Sequence, residues 1–398
     1  MNENRLSVSR QLRVLLVAPA PVRYRMGFFE ELSSHPRIQL TVLYCGGDAS
    51  RGPRLDRLPG PRSHFLWGFS LPSFSGAKTP HYINPSVIKW ALPSRADVLV
   101  VSGYGFPTAL LAAAGAHLER LPWILWSETN RHSVGRRNGP AGWLKRRVVE
   151  TLVSSAGAFF VPGTLAADYL QDLGASAERI FRVANTCDVH AWHTEVSKLR
   201  QEAAAIRSEL RVGSGPVVAT VGRLLPDKGF SDLVRAFGAL LVEMPEAHLL
   251  IVGEGPSRSA LERMAQAAGG AARIRFLGGR NERVVQRILA ISDVFCLPSW
   301  QETWGVVVNE SLAAGVPVIV TRKVGAARDL VESTGAGVVV KERDPHILYL
   351  ALRDLLRDDQ RRATTAKLGW SAVQEFSYER SITEFVRGCE AALSGARA

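Results

Sequence analysis

Glu302 and Glu310 stand near the two ends of the helical part of one stretch, residues 296–317, CLPSWQETWGVVVNESLAAGVP. The stretch reads as a strand end, a loop over 298–303 and a helix over 304–314, which Gly315 and Pro317 stop. Glu302 therefore precedes a helix N-terminus, and Glu310 lies within the helix among Val306, Val307, Val308, Leu312, Ala313 and Ala314. An ionised carboxylate among such neighbours needs a partner, because burying it bare is costly. That partner is an arginine, water at an exposed helix position, or the hydroxyls of a ligand. The helix start also offers free backbone N–H groups and a positive dipole end, which suit a phosphate.

Residues 217–230, VVATVGRLLPDKGF, place two cations, Arg223 and Lys228, after a strand. Gly222 at the strand end permits close backbone approach to a ligand. Open parallel sheets bind ligands at this edge, and two cations beside a helix N-terminus can hold a diphosphate without a metal. Solvated cations in a turn are the bland alternative. Residues 249–256, LLIVGEGP, add a turn with Gly253 and Gly255. The chain has no G-x-G-x-x-G fingerprint, no G-x-x-x-x-G-K-[ST] loop and no D-x-D motif. Those absences speak against a dehydrogenase, a P-loop ATPase and a metal-dependent sugar transferase.

The elements that must carry these groups alternate. Apolar runs at 13–18, 40–44, 98–101, 124–126 and 158–161 predict strands, with helices at 26–33, 108–118 and 143–154. A second series follows: strands at 216–221, 248–252, 274–277, 294–297 and 316–320, helices at 230–241, 257–268 and 304–314. Val-, Ile- and Leu-rich runs without polar alternation suit parallel strands covered on both faces. The fold class expected is α/β, two Rossmann-like doubly wound domains facing each other across a cleft. The expected division is an acceptor-binding domain at 1–190, a polar linker at 191–214, a donor-binding domain at 215–380, and a last helix within 381–398 that packs back on the first domain.

At 398 residues the chain can bury a large core without disulfides or metals. Its four scattered cysteines (Cys45, Cys187, Cys296, Cys389) form no C-x-x-C pair and suit a reducing cytoplasm. Residues 1–190 hold 22 Lys and Arg against 13 Asp and Glu, so +9, whereas 191–398 hold 27 against 24, so +3. Much of the excess sits in Arg131, Arg136, Arg137, Lys145, Arg146 and Arg147, interleaved with Trp143, Leu144, Val148 and Val149. Peripheral contact with anionic lipid, or with a lipid-linked phosphate acceptor, is one reading; a solvated cationic helix is the other. No nucleic-acid motif is present.

The uncharged run 98–118 is long enough to span a membrane, but Gly103-Tyr104-Gly105-Phe106-Pro107 divides it into a strand, a turn and a helix. Arg5, Arg10 and Arg13 before an apolar run imitate a signal peptide, although Pro19 and the shortness of the run favour a first buried strand. The aromatics Phe65, Trp67, Phe69 and Phe74, in the long loop 48–95, are expected to pack in the core.

In order, Gly222-Arg223 with Lys228-Gly229, Gly253-Glu254-Gly255-Pro256, Phe276-Leu277-Gly278, Glu302 to Glu310, Gly315-Val316-Pro317-Val318, and Gly325 to Val331 resemble the family 4 retaining glycosyltransferases of GT-B fold. Residues 160–189 look like the end of that family's first domain. The resemblance implies a hexose moved from a nucleotide-diphosphate sugar, UDP favoured and GDP next, to a glycan or lipid-linked hydroxyl. It implies no cofactor and no metal; the enzyme is expected in the cytoplasm, at the inner membrane face where the cationic helix reads as a lipid contact. Arg223 and Lys228 would grip the diphosphate, Glu302 the donor sugar, and Glu310 the ribose hydroxyls. Backbone amides of Thr303, Trp304 and Gly305 would lie near sugar and phosphates. Many members carry a Gly-Gly pair after the first strand and a histidine after the strand at 123–127. Here the first is Ala18-Pro19-Ala20-Pro21-Val22-Arg23-Tyr24-Arg25, and Glu128 takes the second place as a candidate catalytic group. Thr303-Trp304 also stands where Gly-Phe is usual. The rival reading keeps the fold but makes the chain a catalytically silent nucleotide-sugar-binding or scaffold protein.

Overall fold

The computed structural model describes residues 11–46, 62–71, 81–134, 139–279 and 281–395. Two wholly parallel sheets carry the architecture. The first is seven-stranded, in the order Ser63–Phe65, Ile38–Tyr44, Leu12–Ala18, Val98–Ser102, Trp123–Trp126, Ala158–Val161, Ile180–Arg182. The second is six-stranded, in the order Ile274–Phe276, His248–Val252, Val217–Val221, Val294–Leu297, Val318–Thr321, Gly337–Val340. Each sheet reverses its strand order beside its first strand, which opens a crevice at the carboxyl ends of the central strands.

Central strands such as Val98–Ser102 and Trp123–Trp126 are buried throughout, as continuous apolar runs require when helices cover both faces. Leu12–Ala18 is an inner strand paired on both sides, not a leader segment. The run at 98–118 divides as expected, with Gly103 at φ +85 between Val98–Ser102 and the helix Pro107–Leu118. Among the described residues no helix is long and apolar enough to cross a membrane. All four cysteines are buried and unpaired.

The stretch expected as a linker is largely helical. Val189–Leu199 and Ala203–Glu209 bury Trp192, Val196 and Ile206 in the core of the second sheet. Their outward faces supply the polarity that the sequence displays. The last helix, Tyr378–Gly395, returns to the first sheet, where Phe385 stacks on Phe160 with ring centroids 4.7 Å apart. Gly388 makes that approach possible, since a Cβ there would sit 2.3 Å from the Phe160 ring. The chain thus crosses between lobes twice, near Val183 and near Ser377, and the crossings touch: Ser381 Oγ accepts from the Ala184 amide at 3.2 Å.

Phe65, Trp67 and Phe69 do not enter the core; they are 52%, 77% and 54% exposed. The intervening Leu66 is buried instead. Phe74 lies outside the described residues.

Candidate functional site

Two loops at the carboxyl edge of the second sheet are laced together through glycines. Gly253 has φ +148, and a Cβ there would meet the Gly222 carbonyl oxygen at 1.8 Å. A Cβ on Gly255 would meet the Leu224 carbonyl oxygen at 2.3 Å, where the Leu224 amide already donates to the Glu254 carbonyl at 2.9 Å. The glycines therefore seat the 222–229 loop against 253–256. Gly253→Ala forces backbone apart in a region with no slack and should lower the melting temperature by several degrees, about 2–3 kcal/mol of stability. A thermal melt within one degree of the parent would contradict this packing.

Lys228 follows from that loop. Its Nζ donates to Glu302 Oε2 at 2.5 Å and to the Gln301 carbonyl at 3.4 Å. Glu302 is itself pinned by its backbone: its amide donates to the Lys323 carbonyl at 3.2 Å, and its carbonyl accepts from the Gly325 amide at 3.1 Å. The two charges expected at this edge are thus in contact. Arg223 is exposed, and its side chain has no hydrogen-bond or ion-pair partner among the described residues.

The helix after Glu302 begins later than the sequence suggests. It spans Val306–Ala313, with Gly305 at φ +95 as its N-cap and no side-chain cap. Thr303 and Trp304 belong to the loop. The Trp304 indole is a core group, 1% exposed, and its Nε1 donates to Asn309 Oδ1 at 2.9 Å. Asn309 in turn donates to Thr186 Oγ1 at 3.2 Å. Only the backbone of Trp304 is left to face a ligand. The first helical turn keeps its amides free of side-chain caps, with the positive dipole end beside Glu302 and Lys228.

Glu310, in this helix, is half-buried, and its carboxylate has no hydrogen bond or ion pair among the described residues. Burial, reinforced by the nearby charge of Glu282, pushes its carboxyl up to about 8. Among the described residues no arginine pairs with it, so the partner allowed by the sequence is missing from them.

From the first lobe, the loop after Trp123–Trp126 closes the crevice. Asn130 Nδ2 donates to the Thr303 carbonyl at 3.1 Å, and Gln301 Nε2 donates to the Ser133 carbonyl at 2.8 Å. His132 Nδ1 lies 2.9 Å from Lys323 Nζ, and burial followed by the Lys323 charge lowers its pKa. Farther along, Asp329 Oδ2 accepts from the Thr164 amide at 3.0 Å. Glu128 stands in this loop but is not unattached: Oε1 accepts from Arg25 Nη2 at 2.5 Å and from the Tyr24 hydroxyl at 3.2 Å. Nothing in the residues around Glu128 announces this partner, since Arg25 lies 103 positions away.

The cationic cluster is partly neutralised. Arg131 pairs with Asp172, and Arg146 and Arg147 share Glu150 at 2.7 and 3.4 Å. Arg136 and Arg137 lie outside the described residues. On the helix Pro140–Ser155, Trp143, Leu144 and Val148 are exposed, with the Arg147 guanidinium 5.5 Å from the Trp143 ring centroid.

Residues 202–369 match the family described as glycosyl transferases group 1, and residues 20–186 match the glycosyl transferase 4-like domain. Over 304 residues the chain is 30% identical to the GDP-mannose-dependent alpha-(1-6)-phosphatidylinositol monomannoside mannosyltransferase of Mycobacterium tuberculosis, covering 73% of this chain and 76% of that protein. It is 33% identical to the D-inositol 3-phosphate glycosyltransferase of Corynebacterium glutamicum, over 52% of this chain and 50% of that one. Among solved structures, a glycosyltransferase of Rickettsia africae superposes with TM-score 0.75 at 14% identity, covering 96% of this chain and 99% of that one. Anabaena HepE in complex with UDP superposes with TM-score 0.72 at 18% identity, covering 95% and 98%.

Proposed function

The chain belongs to the family 4 glycosyltransferases of GT-B fold, and from that premise we propose that it moves a hexose from a nucleoside-diphosphate sugar to a hydroxyl of a glycan or lipid-linked acceptor, with retention and without a metal. The observation that carries this reading is the contact of Lys228 with Glu302 at the second sheet's switch point, between the free Arg223 side and an uncapped helix start.

In this reading Arg223 and Lys228 take the two phosphates, and the amides of Thr303, Trp304 and Gly305 lie alongside. Gly222, Gly253 and Gly255 keep the floor of the site bare of side chains, so backbone meets the donor directly. As the anomeric carbon–oxygen bond breaks, the departing diphosphate gains negative charge, which the two cations and the helix dipole stabilise. The acceptor oxygen bonds to the anomeric carbon on the same face, and its proton passes to the leaving phosphate oxygen. Glu302, freed from Lys228 once phosphate takes its place, receives hydroxyls of the donor sugar. Glu310 receives the ribose hydroxyls. GDP-mannose moves ahead of the UDP-sugars favoured by sequence, because the mycobacterial relative is named for it.

The test is a panel of UDP- and GDP-sugars with and without hydroxyl acceptors, read as nucleoside diphosphate release. Release with one donor supports the transferase. Thermal stabilisation by nucleoside diphosphate with no turnover on any pair points to the silent binding protein instead. EDTA is expected to leave the rate within about twofold, since two side-chain cations do the work of the ion; loss of activity restored by Mn²⁺ would contradict metal independence.

The acceptor end of the reading includes the membrane surface, at the cytoplasmic face. Trp143, Leu144 and Val148 project from a helix whose polar flank carries Lys145, Arg146 and Arg147. Aromatic and basic groups together suit an anionic bilayer. Sedimentation with phosphatidylglycerol vesicles at physiological salt should pellet the protein, and Trp143→Glu should leave it in the supernatant. No pelleting with either vesicle would remove the membrane role, and equal pelleting with neutral vesicles would remove the anionic-lipid recognition.

A further inference from the structure

Arg25 begins in the helix Arg23–Ser34 and ends beneath the crevice, only 6% exposed. Its Nη1 donates to Ser102 Oγ at 2.6 Å. Its Nη2 donates to Glu128 Oε1 at 2.5 Å and reaches Asn185 Oδ1 at 3.4 Å. The guanidinium also lies 4.3 Å from the Trp126 ring centroid, a cation–π contact. Ser102 ends one strand of the first sheet, and Glu128 and Asn185 lie two and three residues past the carboxyl ends of two others. One buried cation therefore gathers the wall of the first lobe.

A buried ion pair adds little to stability over a well-packed apolar substitute, so its main effect here is geometric. Both bonds to Glu128, from Arg25 and Tyr24, fall on Oε1. Oε2 has no hydrogen bond among the described residues, and the side chain is partly open to solvent. Two positions on, Asn130 bonds to Thr303, the neighbour of Glu302. The fixed carboxylate thus stands in the crevice wall opposite the sugar end of the second-lobe site, with one oxygen held and the other vacant.

We propose that Arg25 is a positioning residue that orients Glu128 so that Oε2 accepts a hydrogen bond from a sugar hydroxyl in the crevice. This rests on the crevice binding a nucleotide sugar. The hydroxyl comes from the donor hexose or from the acceptor, and both present the same chemistry to a carboxylate.

The experiment measures kcat and KM for each substrate, and stabilisation by UDP and GDP, on the full chain carrying Glu128→Gln, Arg25→Met, Arg25→Lys, or Arg25→Met with Glu128→Gln. Glu128→Gln should lower kcat/KM about 10- to 100-fold, the range of one charge-assisted hydrogen bond. Arg25→Met should match it, Arg25→Lys should recover part of the loss, and the double variant should be no worse than either single. Thermal shifts with UDP or GDP should stay at the parent value throughout, since the second lobe holds the nucleotide. A rise in donor KM assigns the hydroxyl to the hexose, and a rise in acceptor KM alone assigns it to the acceptor. If Arg25→Met does not fold, Arg25→Lys against Glu128→Gln carries the comparison. Parent-like kcat/KM for both substrates in Glu128→Gln, or losses that multiply in the double variant, overturn the proposal while the nucleotide shift stands. Absence of any nucleotide shift in the unmutated chain overturns the transferase reading, and this proposal with it.

Discussion

Lys228→Ala is expected to reduce turnover by about 10³-fold while the protein stays folded. Two effects add. The ammonium that would neutralise the leaving diphosphate is gone, which alone is worth about 10²- to 10³-fold at a site of developing charge. Its removal also strips Glu302 of the partner 2.5 Å away and leaves a carboxylate facing the incoming phosphates. Adding Glu302→Gln to Lys228→Ala should therefore restore part of nucleotide binding, though not turnover. Arg223→Ala separates the two effects. Arg223 is exposed and unpaired in the free protein, so its loss should leave the melting temperature unchanged and lower the rate by about 10- to 100-fold. Steady-state kinetics and melts on the three variants decide this; near-normal rates in both single variants would sink the diphosphate role.

Glu310→Gln is expected to weaken nucleoside-diphosphate binding by about 10²-fold, the cost of losing charge from an acceptor of two hydroxyl bonds. The effect depends on pH. The carboxyl sits at about 8 in the free fold, against an ordinary value of 4.5, because burial disfavours its charged form. As pH rises through that interval, the unfolded chain loses its proton first, so this group makes the fold progressively less stable up to about pH 8. In the proposed site ribose hydroxyls would donate to the ionised form, so binding should expel the proton and affinity should climb with pH over the same window. Calorimetric titration with UDP or GDP in buffers of different ionisation enthalpy should show proton release near neutrality, and Glu310→Gln should abolish the release attributable to this carboxyl. Equal proton release in both proteins would place the ribose elsewhere.

Much of this was written in side-chain type and order. Strands such as Ala158–Val161 and Val294–Leu297 are short, wholly apolar and bounded by turns, a pattern that suits inner strands covered on both faces. The strands Ser63–Phe65 and Ile180–Arg182 are edge elements of three residues, too short to display a period. The helices within 189–209 read as linker because their polar outer face dominates the count of residues. The cations and carboxylates of the second lobe come from contiguous segments, so their clustering follows from the strand–loop–helix order. Arg25 and Glu128 meet only because the first sheet folds, and nothing in either neighbourhood announces it. Trp304 turns its indole into the core, where Nε1 donates to Asn309 Oδ1.

The doubled passage of the backbone between lobes, at Val183 and at Ser377, constrains how the crevice can open. One connection would let the halves swivel in any direction. Two adjacent connections leave a single rocking rotation about the line through them, so every opening separates the 128–133 loop from Gln301 and Thr303 along one path. A substrate that spans the gap then acts as the latch of a door, and a crosslink across Asn130 and Thr303 would lock the molecule shut.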